Sequence, residues 1–265
     1  QVATEGTATK LYNTHNQELS YFSGENGNGI STGIVAPIPI QQIEQLSGDI
    51  RILSWTRFAD LSVEYPNTLN AITQFFSDFT VTSTTETDHV IIDSLLNEAD
   101  VFLIPEQETG NSGVFLNLAP SWGPVLQSFV SSGGTIIMCG SGTGQFELFN
   151  AGGLMEISAS LVRNSGTMNV LDTTNSLTNS LPNVIPVNDA TYFVNVTDSL
   201  ASSLVAQSES NVAVAVKSLD LGKAIYIGYD FFAYEENAAR IISNAVSQAR
   251  NRLSWLSFDT DADTI

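Results

Sequence analysis

The stretch of sequence that decides the fold is an apolar segment enclosed by glycines, GGTIIMCGSGTGQFELFNAGG, at residues 133–153. Its apolar part, 135–139, is continuous instead of alternating, which is typical of a strand buried on both faces in the middle of a parallel sheet. A glycine-rich turn follows and leads into a predicted helix over 145–150. Ligands and catalytic groups gather beyond the carboxyl ends of such strands, so we expect a functional site at this turn.

An alternating series of strands and helices precedes this segment. Strands are predicted at 50–55, 79–83 and 101–105. Helices are predicted from residue 65 and over 89–99 and 122–131, where apolar residues recur at helical spacing. A loop over 106–113 leaves the third strand. Four strands that alternate with helices form a βαβ series, and the right-handed crossover rule makes their sheet parallel.

The second half of the chain has a different pattern. Residues 157–210 read as short strands and loops. The runs 212–217 and 223–228 flank Ser-Leu-Asp-Leu-Gly, which predicts an antiparallel hairpin. An amphipathic pattern over 235–253 predicts a closing helix. The fold class is therefore α/β, with a mostly parallel sheet, helices on both faces and a late antiparallel hairpin.

Both ends of the chain differ from this α/β domain, which we place at 49–253. Residues 1–48 are interpreted as an N-terminal arm or cap, and 254–265 as an acidic tail or linker. In the tail, Asp259, Asp261 and Asp263 alternate as in the first part of aspartate-rich calcium loops, so they are candidate calcium ligands. The chain begins at Gln1, from which we expect that an N-terminal segment has been removed.

The composition limits the partners. Nine basic residues oppose 28 acidic ones, a net charge of −19, which disfavours nucleic acid and anionic membranes as partners. No apolar run reaches the length of a membrane span, so no membrane insertion is expected. A single cysteine excludes an internal disulfide. Acidity and a surface rich in Ser, Thr, Asn and Gln suggest a secreted or cell-surface protein.

The order of these elements resembles the class I glutamine amidotransferase-like superfamily, which includes ThuA-like and beta-galactosidase trimerisation-type domains, over residues 49–253. Residues 133–144 look like the strand and nucleophile elbow of that family, and 222–230 look like its late strand. The resemblance implies a flavodoxin-like sheet. In catalytic members it also implies a nucleophile at the elbow and a histidine base at the end of the late strand.

The residues at these positions depart from the catalytic pattern. The family spacing places Ser141 at the nucleophile position, while Cys139 falls inside the apolar strand, where a lone cysteine usually acts as a small hydrophobe. The position of the histidine carries Asp230, and the sequence has histidines only at 15 and 89. Without that base, Ser141 would depend on a carboxylate, which is a weak base toward serine.

Glu106 and Glu108 are the other candidate site residues, because they leave the third strand beside the proposed site. A carboxylate pair suits glycoside chemistry only at defined separations. The sequence does not support other cofactors. No Gly-x-Gly-x-x-Gly follows the first strand, as a dinucleotide site would require, and the loop there is too bulky to bind the phosphate of a flavin. The sequence also has no His/Cys cluster that could bind zinc. Calcium is therefore the one candidate cofactor.

Three functions remain open from the sequence. The first is a non-catalytic amidotransferase-like module of an exported protein, with a structural, assembly or ligand-binding role. The second is a carbohydrate-active hydrolase that uses Ser141 or the acidic loops. The third is a self-assembling surface protein whose arm adds to the sheet edge of another copy. The expected partner is accordingly a protein, including a second copy of this chain, or a carbohydrate.

Overall fold

The computed structural model describes residues 9–12, 18–21, 49–188 and 190–251. Internal contacts divide the chain into two units, residues 1–47 and 48–265. In the first unit, β1 (Thr9–Tyr12) and β2 (Glu18–Tyr21) pair antiparallel. The candidate calcium ligands Asp259, Asp261 and Asp263 lie outside the described residues, as does His15.

The described part of the second unit contains an 11-stranded sheet and five α-helices. In chain order these elements are β3 (Ile50–Trp55), α1 (Glu64–Thr73), β4 (Phe79–Thr84), α2 (His89–Leu96), β5 (Val101–Ile104), α3 (Ser112–Ser131), β6 (Thr135–Cys139), α4 (Glu147–Ala151), β7 (Ile157–Arg163), β8 (Thr167–Val170), β9 (Val184–Pro186), β10 (Thr191–Val196), β11 (Ser202–Ser208), β12 (Asn211–Leu219), β13 (Gly222–Ile227) and α5 (Glu236–Ser247).

The core of the sheet is parallel. Its strands follow the order β4-β3-β5-β6-β13, and each neighbouring pair in that series is parallel. Strands β5 and β6 are buried at every position, which is the burial expected when both faces of a strand are covered. The structure thus confirms the mixed α/β class with a mostly parallel core.

Antiparallel strands extend the sheet beyond β13. Strand β12 pairs antiparallel with β13, as predicted for the late hairpin, and β11, β8 and β9 follow in turn. Strand β10 pairs with both β12 and β7. The region 157–210, which reads as short strands in the sequence, therefore belongs to the same sheet.

Helices cover the two faces of the parallel core. Side chains of Ile137 and Cys139 pack into a core with α1 and α5, whereas Ile136 and Met138 pack on the opposite face with α2, α3 and α4. This alternation along one strand is the period of two that a strand requires. None of the helices in the described ranges combines the length and apolarity needed to cross a membrane.

Helix α3 is ten residues longer than the predicted helix at 122–131, and that prediction was wrong at its beginning. The helix starts at Ser112, where the Asn111 side chain caps it by accepting from the N–H of Val114. Pro120 and Pro124 lie inside it and suggest an interruption in the sequence. Burial of apolar side chains at helical spacing compensates for the proline cost; these are Phe115, Ala119, Trp122, Leu126 and Phe129.

Candidate functional site

The candidate site lies at the carboxyl edge of the parallel core. Strands β3, β5, β6 and β13 are parallel neighbours, so the loops that follow them all leave the same edge. These loops carry Glu106 and Glu108 after β5, Ser141 after β6 and Asp230 after β13. The sequence placed these four residues near one another, and the structure puts them on this one edge.

Three glutamates form a carboxylate cluster at this edge, defined as Glu64, Glu106 and Glu108. One carboxylate oxygen from each lies within 4.8 Å of those of the other two. Glu64 is the first residue of α1, the helix that follows β3, so neighbouring strands position the cluster. No cysteine or histidine belongs to it, and its ligand atoms are all hard oxygens.

Glu106 is the buried member of the carboxylate cluster, with only 2% of its surface exposed. Its Oε1 accepts a hydrogen bond of 2.9 Å from the backbone N–H of Phe231, whereas Oε2 has no partner among the described residues. Burial raises the pKa of Glu106 well above its usual value, and the charges of Asp230, Glu64 and Glu108 raise it further. The hydrogen bond from Phe231 opposes this rise only in part.

The other two members are perturbed in the same direction. Partial burial, followed by the charges of Glu108, Asp230 and Asp60, raises the pKa of Glu64 to about 7. The pKa of the exposed Glu108 is raised by partial desolvation and by Asp230 and Asp60. Within the described ranges, no lysine or arginine is among the charges that shift these three pKa values. The edge is therefore a concentrated negative region.

Asp230 occupies the position where the resemblance implies a histidine. This residue is 7% exposed, and its Oδ1 accepts a hydrogen bond of 2.6 Å from the N–H of Phe232, two residues along the same turn. The Asn188 side chain donates to its backbone carbonyl. The histidine in the described part of the chain, His89, is exposed at the first residue of α2.

The hydroxyl of Ser141 is held inside the elbow. Ser141 is 6% exposed; its Oγ donates to the Oε1 of Gln145 at 2.8 Å and lies 2.7 Å from the Thr143 hydroxyl. These bonds involve no carboxylate. The proton of Ser141 is thus directed at an amide oxygen, which is not a general base.

Gln145 closes the space in front of Ser141. Its Oε1 also accepts a hydrogen bond of 3.1 Å from the backbone N–H of Gln107, and its amide nitrogen donates to the carbonyl of Cys139. A substrate carbonyl would have to lie between the Ser141 hydroxyl and a backbone N–H such as that of Gln107, which would donate to its oxygen. The side-chain amide of Gln145, 1% exposed, occupies that position.

Aromatic rings pack against the glycines of the elbow. A Cβ atom added at Gly142 would lie 3.0 Å from the Tyr192 ring, and one added at Gly140 would lie 2.1 Å from the hydroxyl of Tyr226. Tyr192 also faces the acidic edge: burial raises its pKa, and Glu108, Glu106 and Asp230 add to the rise. The elbow is therefore filled by neighbouring side chains.

Cys139 lies at the end of β6 and is fully buried. Burial raises the pKa of its thiol well above the usual value, and the charge of Glu106 adds to the effect. A thiol in this environment stays protonated, and the thiolate is the reactive form. Its position agrees with the interpretation of Cys139 as a buried hydrophobe.

An open groove of about 500 Å³ lies beside the start of α1. Its lining includes Leu61, Tyr65 and Ser83, and the Tyr65 hydroxyl lies 2.8 Å from that of Ser83. Ser141 is not among the residues that line it.

Sequence reasoning missed three residues of this region: Glu64, Gln145 and Tyr192. The sequence could have indicated Glu64, because this residue lies in the first turn of the helix that follows β3 and hence at the carboxyl edge of the sheet. Gln145 follows the elbow directly, but nothing in the sequence tells whether its side chain turns back onto Ser141. Tyr192 comes from β10, whose place beside the elbow depends on the antiparallel part of the sheet.

Comparisons with known proteins address the fold. No protein-family profile matches the chain, and no curated protein matches its sequence. A protein described as a GMP synthase subunit from Thermoplasma acidophilum is similar in structure, with a TM-score of 0.56 and 11% identity over 78% of this chain and 97% of that chain. A ThuA-like protein from Bacteroides uniformis has a TM-score of 0.53 and 12% identity over 76% and 91%.

A cytoplasmic protein from Salmonella typhimurium LT2 is also similar, with a TM-score of 0.55 and 12% identity over 75% of this chain and 98% of that chain. Identities this low show the fold alone. The ThuA-like protein is of a kind that the sequence resemblance named. Together these structures support an amidotransferase-like, flavodoxin-like fold for this chain.

Proposed function

We propose that this chain is a non-catalytic member of the amidotransferase-like group, carried by an exported or cell-surface protein, with a structural, assembly or ligand-binding role. The observation that carries the proposal is the closed elbow. The Oε1 of Gln145 accepts hydrogen bonds from the Ser141 hydroxyl and from the backbone N–H of Gln107. An acyl substrate would need that hydroxyl as the nucleophile and that N–H as a donor to its carbonyl oxygen, and both are already engaged.

The chemistry of nucleophilic catalysis supports the proposal further. A serine attacks only when a base accepts its proton, and an adjacent histidine usually does so. At this edge Asp230 stands in place of the histidine, and its carboxylate accepts from the N–H of Phe232. Export is supported by the charge of −19 and by the small share of charged residues, 14%.

A fluorophosphonate probe, which labels activated serines, tests the proposal. We expect no labelling of the wild-type protein above that of the Ser141→Ala variant, while a serine hydrolase in the same assay is labelled. Labelling that disappears in Ser141→Ala would overturn the proposal. Fractionation of the source cells, with detection of the protein by antibody, tests export; recovery in the cytoplasmic fraction alone would contradict that part.

A carboxylate-dependent hydrolase is the second candidate, because the pKa of Glu64, about 7, suits a general acid. One carboxylate oxygen of each glutamate lies within 4.8 Å of those of the other two, so these residues are near enough to act as a pair. Hydrolysis of nitrophenyl glycosides, measured between pH 5 and 8, tests this second function. Turnover by the wild-type protein that both Glu64→Gln and Glu106→Gln abolish would establish that the chain is a carboxylate-dependent hydrolase.

A further inference from the structure

We infer that the carboxylate cluster of Glu64, Glu106 and Glu108 binds one hard divalent cation of the Ca²⁺ and Mg²⁺ class. Oxygen ligands lie about 2.0–2.6 Å from such ions, so two ligands of one ion are at most about 5 Å apart. The limit of 4.8 Å among the three carboxylate oxygens meets this requirement. Carboxylates without histidine or cysteine favour calcium, magnesium or manganese over zinc or copper.

The state of Glu106 is an independent indication of a ligand. A carboxylate that is 2% exposed normally has partners for both oxygens, yet only Oε1 has one, the Phe231 N–H. The Oε2 of Glu106 is buried and unpartnered among the described residues, as is the Oε2 of Glu64. A cation that touches both oxygens would supply the missing partner. The Phe231 hydrogen bond meanwhile keeps the Glu106 carboxylate in one orientation.

The surrounding charges favour a cation in the same place. Asp60 and Asp230 add negative charge to the three glutamates, and each of them is among the groups that raise the pKa of Glu64. Among the described residues, the Tyr192 and Tyr226 phenols and the Cys139 thiol also interact with the cluster, and the pKa of each is raised, so all three are neutral at physiological pH. The exposure of Glu108 gives the ion a path from solvent and leaves room for water ligands.

The residues of this site are not the alternating aspartates that the sequence indicated as calcium ligands, Asp259, Asp261 and Asp263. It is also independent of the proposed function, because the Ser141 probe reports on the elbow and a cation titration reports on the glutamates. The two proposals can therefore fail separately.

The test uses the whole chain, freed of metal with EDTA, at pH 8, where Glu64 is ionised. CaCl₂ and MgCl₂ are titrated separately while the melting temperature and the binding heat are recorded. At an ion concentration about 100-fold above Kd, we expect a Tm rise of about 5–10 °C for the preferred ion. Comparison of the two titrations identifies that ion.

Four variants assign the effect. Glu108→Gln, at an exposed position that should not disturb folding, is expected to lower the affinity at least tenfold. Glu106→Gln keeps an oxygen that can accept from the Phe231 N–H, so it should fold without metal, and it should abolish the Tm rise with metal. Glu209→Gln in an exposed turn and the triple Asp→Asn variant of the tail should keep the wild-type response at the glutamate site. Absence of any rise with either ion, or a rise that Glu106→Gln and Glu108→Gln retain, would overturn the inference.

Discussion

The carboxylate of Glu106 and the backbone N–H of Phe231 are joined by a hydrogen bond of 2.9 Å across 125 residues of sequence. This bond ties the loop after β5 to the loop after β13, although β6 lies between these two strands in the sheet. It also keeps Asp230, the neighbour of Phe231, near the glutamates whose pKa values it raises. The acidic edge is thus held together by a hydrogen bond between a side chain and the backbone as well as by the sheet.

Stability should fall as the pH rises from 5 to 8 in the absence of divalent cations. The pKa of Glu64 is raised from 4.5 to about 7 on folding, so the folded state binds more protons in this interval. Its stabilising contribution is present below pH 4.5 and is lost as the pH passes through 7. Since solvent screens the half-buried Glu64, we expect about 1 kcal/mol from this residue.

Urea unfolding of wild type and Glu64→Gln at pH 5 and pH 8 in EDTA measures this contribution. The variant should lose less free energy of unfolding between the two pH values than wild type, and Glu209→Gln should behave as wild type. The pKa of Asp198 is lowered, so its titration changes the free energy of unfolding only below about pH 4, outside the interval that is measured. An equal loss in Glu64→Gln and wild type would show that Glu64 does not titrate in this range.

Gln145→Ala should destabilise the protein by about 2–4 kcal/mol. The substitution leaves the Ser141 hydroxyl, the Gln107 N–H and the Cys139 carbonyl buried without their partner. Chemical denaturation with an unchanged m-value measures the loss. Gln74→Ala, at an exposed glutamine, is the matched control and should cost less than about 0.5 kcal/mol. Similar costs for both variants would mean that the elbow is not held by Gln145.

Gly228→Ala should be among the most damaging single substitutions, with a loss above about 3 kcal/mol or failure to fold. A Cβ at this position would lie 2.0 Å from the carbonyl oxygen of Tyr192, whose N–H donates to the Gly228 carbonyl. Neither backbone can move without breaking the sheet. Gly113→Ala, on the exposed first turn of α3, should change the stability by less than about 1 kcal/mol. A folded Gly228→Ala protein with wild-type stability would contradict the close packing of β10 on this loop.

Lys217→Met should cost about 2–3 kcal/mol, because it removes the charged partner of the Asp198 side chain and leaves that carboxylate only the backbone N–H groups of Glu156 and Leu200. The Lys217 ammonium lies 2.7 Å from Asp198 Oδ2 and 3.0 Å from the carbonyl of Gly153, and the ion-pair side chains are 11% and 8% exposed. The control breaks the exposed pair of Glu236 and Arg240 through Glu236→Gln, for which we expect less than about 1 kcal/mol. If Lys217→Met and Glu236→Gln lowered the stability equally in thermal unfolding, burial would not explain the strength of the Lys217–Asp198 pair.

The sequence predicts the parallel core well because its strands are continuously apolar and bounded by turn residues, as at 101–105 and 135–139. It fails where burial overrides a local signal: Pro120 and Pro124 suggest an interruption, yet α3 continues through both. At the site, Glu106 and Asp230 each follow a predicted strand, and this places them at the carboxyl edge of the sheet, where the structure has them. The burial of Glu106 and the inward turn of Gln145 depend on packing between distant segments, which a single sequence does not encode locally.

The position of β13 has a consequence for the order in which the protein folds during synthesis. This strand is the last one in the described part of the chain, yet it pairs with β6 on one side and β12 on the other. A nascent chain that ends before residue 222 therefore exposes the apolar edge of β6, which favours association with other chains. The acidic edge forms only when β13 brings its loop beside Glu106, so we expect it to be completed late, once residue 231 has left the ribosome.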